Sequence, residues 1–165
     1  MHAYSTAGWS ELFLAEAGAS AALAGLLFVA ISINLDRILK GPGLPARAGE
    51  AIVLLVAVLV VSTLVLVPGQ SRTALGTELL VAALIAWLIL VGIHVRAVRG
   101  RVGPSPAVLG GRVVMAQAAA LPFLVAAVTL LLEAGGGLYW LVPGVVLCFV
   151  VAVLDAWVLL IEILR

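Results

Sequence analysis

The sequence predicts an all-α polytopic membrane bundle of five transmembrane helices, with the amino terminus outside and the carboxyl terminus inside. Three observations carry that expectation: a strongly apolar composition, five uncharged stretches of spanning length, and a one-sided distribution of basic residues. Hydrophobic residues make up 65% of the 165-residue chain and charged residues 10%, whereas soluble domains run near half apolar and a quarter charged. The length fits one domain covering residues 1–165, since domains of about 100 to 200 residues are usual. A formal charge of +1 gives no reason to expect a nucleic-acid partner. The single cysteine, Cys148, lies in an apolar run and has no second thiol to pair with.

A hydrocarbon core takes about 20 helical residues to cross. The expected spans cover about residues 14–35, 51–68, 77–95, 113–132 and 138–161. Breakers fall between them, because proline lacks a donor and glycine relaxes the backbone. Gly41-Pro42-Gly43-Leu44-Pro45 marks the first connection, Pro68-Gly69 the second, the segment 100–106 the third, and Gly135-Gly136-Gly137 the fourth. The last is so short that the fourth and fifth spans are expected to pack as an antiparallel pair. Pro122 is expected to bend the fourth span, and Pro143 falls in the first turn of the fifth, where a missing donor does least harm.

Direction follows from the retention of Lys and Arg on the cytoplasmic side. The first connection holds Arg37, Lys40 and Arg47, and the third holds Arg96, Arg99, Arg101 and Arg112. With five alternating spans Arg165 joins them, which places eight of the nine basic residues on one face and leaves Arg72 on the other. The amino-terminal segment has no basic n-region, so the first helix is expected to be retained rather than cleaved. Tyr4, Trp9, Tyr139 and Trp140 then lie at the outer boundary, where amphipathic rings favour the headgroup layer, and Trp157 near the inner one. The expected location is the plasma (inner) membrane of a bacterium.

Polar side chains at membrane depth are costly, and each is a candidate for function. Asp155 lies about 22 Å below Trp140 at 1.5 Å per helical residue, and Cys148, Asp155 and Glu162 share one face. Asn34 and Ser32 at the end of the first span, Glu50 at the start of the second, His94 at the end of the third and Gln117 in the fourth fall at similar depth. A converging polar cluster of Asp155, Gln117, Asn34, His94 and Glu50 is one expectation, since a carboxylate beside an imidazole exchanges protons near neutral pH. The alternative is structural: Asp155 pairs with Arg37 or Arg112, and the amides bond between helices. On the outer side, Glu16, Glu78 and Glu133 form either an acidic vestibule or a solvated rim. The first span also carries small residues at one-turn spacing, Gly18 with Ala22 and Ala21 with Gly25, which lets helix backbones approach closely in lipid.

No catalytic constellation is evident. His2 and His94 are the only histidines, and there is no His-Glu-x-x-His, no Gly-x-Ser-x-Gly elbow and no phosphate-binding Gly-x-x-x-x-Gly-Lys-Ser loop. Neither an enzyme nor a bound metal or cofactor is expected.

The run from Gly25 to Asp36 (GLLFVAISINLD) and the run from Asp155 to Arg165 (DAWVLLIEILR) resemble a family of small bacterial multi-helix membrane proteins. The likeness covers nearly the whole chain, and some members carry the label of modulators of the FtsH membrane protease. The first run followed by Leu54 to Val58 (LLVAV) also looks like the first two helices of Orai calcium channel subunits. This sequence has Ser32 or Ile33 where those proteins carry the filter acid. The expected role is a non-enzymatic accessory or scaffold protein that binds other membrane proteins, or copies of itself, within the lipid bilayer. The alternative is a subunit of an oligomeric ion channel or of a proton- or cation-coupled carrier.

Overall fold

A computed structural model of the chain describes residues 2–6, 8–99 and 105–164. Among the described residues the architecture is all-helical, and five helices are long and apolar enough to cross a membrane. They are α1 (Ser10–Ile33), α3 (Leu44–Val65), α4 (Arg72–Arg99), α5 (Pro106–Leu132) and α6 (Leu141–Leu164), with a six-residue helix α2 (Leu35–Lys40) between the first two.

Four of the long helices form a ring in the order α3, α4, α5, α6, closed by contact between α6 and α3. Helix α1 stands outside this ring and packs chiefly on α3, so α3 is the element most enclosed. Its inward side chains, including Leu54, Val58 and Val61, are fully buried with Leu79, Leu90, Leu130 and Val145 from its neighbours. The bundle's outer surface is apolar as well, as Leu14, Leu26, Phe28, Ile33, Leu88, Val114 and Leu132 are all exposed.

Local signals explain the boundaries. Helix α1 stops at Asn34, where the Ser32 hydroxyl donates to the Phe28 carbonyl and the Asn34 amide to the Ala30 carbonyl, using acceptors near the end of the helix. Gly43 is left-handed at φ +79°, and Pro45 occupies the first turn of α3, where proline costs no hydrogen bond. Residues 44–50 are therefore helical and not a connection, which lengthens the second expected span toward its basic end. The fourth connection is a left-handed run of Glu133, Gly135, Gly136 and Gly137 at φ +55°, +87°, +113° and +53°, a path that suits glycine. Gly137 also lies against the amino terminus, because a β-carbon there would stand 2.1 Å from the Ala3 carbonyl oxygen. Trp9 stacks edge-on to Tyr139 at 4.9 Å, and the Tyr4 hydroxyl accepts the Gly136 N–H. The four aromatic residues expected to share one boundary thus gather at one end of the bundle.

Candidate functional site

The opposite end holds a buried ionic cluster built outward from α3. Arg47 and Glu50 lie one turn apart on that helix, and each reaches a different neighbour. Arg47 Nη1 donates to Asp155 Oδ1 of α6 at 2.9 Å, and Arg112 Nη2 of α5 donates to Glu50 Oε2 at 2.6 Å. His94 Nε2 of α4 stands 3.6 Å from the same Glu50 oxygen. Glu50, His94 and Asp155 are 1%, 5% and 4% exposed. All four ring helices contribute a charge or an imidazole to one layer, and Asp155 is close enough to interact electrostatically with Glu50 and Arg112.

Arginine is a permanent cation with five donors, so two acids are matched by two fixed positive charges. Several donors and acceptors nevertheless stay unused: Asp155 Oδ2, Arg112 Nε and both ring nitrogens of His94 are buried without a hydrogen bond. Such an array can hold four helices in register, and His94 is the member of it whose two ring nitrogens both lack a hydrogen bond.

Three of the expected cluster residues therefore meet, and two do not. Gln117 turns to α4, where its Oε1 accepts from Trp87 Nε1 at 2.7 Å. Asn34 is committed to its own helix end, as described above, and Ser32 likewise. Asp155 has a basic partner, but it is Arg47 rather than Arg37 or Arg112. Arg47 was concealed by the proline at position 45, which reads as a loop breaker until its place in a first helical turn is recognised. The spacing of Arg47 and Glu50 on one helix face was the signal that could have found it. Arg101 and Arg165 lie outside the described residues, as does the side chain of Glu162.

The three outer acids disperse. Glu133 pairs with Arg72, Glu78 contacts Gln70, and Glu16 is buried facing Ser62 in the α1–α3 interface with its Oε2 unbonded. Each of the three thus has a different partner among the described residues.

The small residues of α1 also face away from the rest of the chain. Phe13, Glu16, Ser20 and Leu27 are turned to the interior, so the helical period puts Gly18, Ala21, Ala22 and Gly25 on the outer side, where all four are exposed. A β-carbon at Gly18 or Gly25 would meet nothing within 4 Å. Among the described residues, this stripe is left uncovered. No protein-family model matches the sequence, and neither does any curated protein or solved structure.

Proposed function

We propose that this chain is an integral membrane protein of the plasma membrane, amino terminus outside and basic end in the cytosol, acting as a non-enzymatic accessory or scaffold that docks a helix of another membrane protein on α1. A modulator of a membrane-embedded protease belongs to that class. The carrying observation is the Gly18, Ala21, Ala22 and Gly25 stripe, left open on the peripheral helix while the other long helices close on one another. In lipid, where apolar burial gives helices no reason to associate, close backbone approach at small residues supplies the attraction. The apolar outer surface supports bilayer insertion, since exposed apolar area on this scale is foreign to soluble monomers.

Affinity purification from membranes in mild detergent tests the docking role. The wild-type chain is expected to recover a reproducible membrane partner, or a differently tagged copy of itself, and the Gly18→Leu/Gly25→Leu variant to lose it. Failure of the wild type to retain either overturns the reading. A second reading, the channel or carrier subunit, draws on the buried Glu50–His94 neighbours. The matching of Glu50 and Asp155 by one arginine each favours the first reading. Flux across liposomes that is abolished by Asp155→Asn would favour the second.

A further inference from the structure

A groove runs between the basic ends of α4 and α5. Its walls are Val91, Val95 and Val98 of α4 and Val113 of α5, and its polar lining is His94, Gln117 and Arg99. We infer that this groove binds one anionic phospholipid of the leaflet at the basic end, its phosphate at Arg99 and an acyl chain running inward along the valines toward Gln117. The inference rests on the membrane reading above and is independent of docking at α1.

The lining is rich in free donors and has no acidic side chain. Trp87 takes the Gln117 carbonyl oxygen, so its amide N–H groups are what that side chain has left to offer. Arg99 makes no ion pair among the described residues. His94 is 95% buried, and neither ring nitrogen has a hydrogen-bond partner. Glu50, the acid beside His94, does not line the groove, and it is neutralised by Arg112. A pocket of this character selects an anion, and a guanidinium suits a phosphate in particular.

Depth separates a lipid from a free anion. Arg99 ends α4 and His94 lies five residues inside it, while Gln117 lies five residues inside Arg112 on the opposing helix. The bond from Trp87, twelve residues inside Arg99, puts Gln117 at that level, so at 1.5 Å per residue the lining spans about 18 Å of depth, with Val91 between His94 and Gln117. Inorganic phosphate meets one such level. A phospholipid presents its phosphate at the surface and its chain inward from it, in the same order as Arg99 and the valines that lead from Val98 to Val91. Basic pockets between helices on the cytoplasmic side recognise lipid headgroups by this chemistry.

Fluorescence of Trp87, hydrogen-bonded to Gln117 at the groove, reports occupancy. A variant keeping Trp87 as its sole tryptophan (Trp9→Phe, Trp140→Phe, Trp157→Phe) is reconstituted in phosphatidylcholine vesicles with a minor share of brominated lipid. Brominated phosphatidylglycerol is expected to quench about fivefold more effectively than the same share of brominated phosphatidylcholine, the preference one arginine near a membrane surface gives for a net anionic lipid over one whose own ammonium offsets its phosphate. Arg99→Gln is expected to abolish the excess and Arg96→Gln, one turn away and outside the groove, to preserve it. Equal quenching by both lipids overturns the site but leaves the membrane reading intact, whereas quenching by neither overturns the membrane reading itself. Loss of the excess in Arg96→Gln shows diffuse attraction and overturns the groove, and its loss on adding millimolar inorganic phosphate assigns a soluble anion instead. Should the triple-phenylalanine background not fold, native mass spectrometry of the wild-type chain offered equal amounts of the two lipids decides the matter: retained phosphatidylglycerol supports the site, and no preference overturns it.

Discussion

Two ion pairs of the same kind sit at opposite ends of this bundle, and burial separates their consequences. Glu50 and Arg112 meet with side chains 1% and 10% exposed, whereas Arg72 and Glu133 are 38% and 58% exposed. Removing one partner of a buried pair leaves an uncompensated charge away from water, at a cost of about 3 kcal/mol or more. An exposed pair contributes less than about 1 kcal/mol, because solvent screens it and two long side chains must be ordered. Arg112→Gln is therefore expected to lower unfolding stability in detergent by about 3 kcal/mol, and Arg72→Gln to be nearly silent. The double variant Glu50→Gln/Arg112→Gln should recover much of the loss, since the orphaned carboxylate is then gone. Equal effects of Arg112→Gln and Arg72→Gln would show that the inner pair is solvated. The Arg47–Asp155 pair obeys the same logic, with Asp155→Asn relieving one charge and stranding the arginine.

Between helices, glycine marks where backbones come close, and only some glycines do so. At Gly144 of α6 a β-carbon would stand 2.6 Å from Phe123 Cε1 and 3.3 Å from Pro122 Cβ, so the α5–α6 contact needs the missing side chain beside the proline of α5. Gly144→Val is expected to force these helices apart at a cost of about 1–3 kcal/mol, as overpacking does, read as a fall in midpoint of thermal unfolding. Gly18→Leu and Gly25→Leu carry the opposite expectation. A β-carbon at either position meets no described atom within 4 Å, and replacing glycine in a helix interior removes a penalty of up to about 1 kcal/mol, so the midpoint should hold or rise while partner recovery is lost. A fall would mean that α1 packs through its small residues inside the chain after all. Small-residue spacing in the sequence marks a face of α1 without saying whether that face is turned inward or outward. That answer required knowing that Phe13, Glu16, Ser20 and Leu27 already occupy the side turned to α3.

At the level of the whole molecule, what could be read from the sequence was what lipid-scale physics imposes: five apolar stretches, their breakers and the gathering of charge. What could not be read were partners chosen by side-chain direction, such as Asp155 with Arg47 or Gln117 with Trp87, because depth along a helix is fixed by counting and azimuth depends on how neighbours pack. Charge placement nonetheless yields a strong global prediction. Arg37, Lys40 and Arg47 near the α1–α3 connection, Arg96 and Arg99 ending α4, and Arg112 in the first turns of α5 occupy one end of the bundle, and Arg72 opens α4 at the other. Basic residues resist translocation, so that end should remain in the cytosol. Cys148 is fully buried, and a Cys148→Ala background leaves no native thiol to confuse labelling. In intact cells a membrane-impermeant maleimide is expected to label Arg72→Cys and to reach Lys40→Cys only after permeabilisation. Labelling of both positions in intact cells would place the two ends on one side, which alternating spans forbid. Labelling of Lys40→Cys alone would invert the chain, and a groove at that end would then face outer-leaflet lipid.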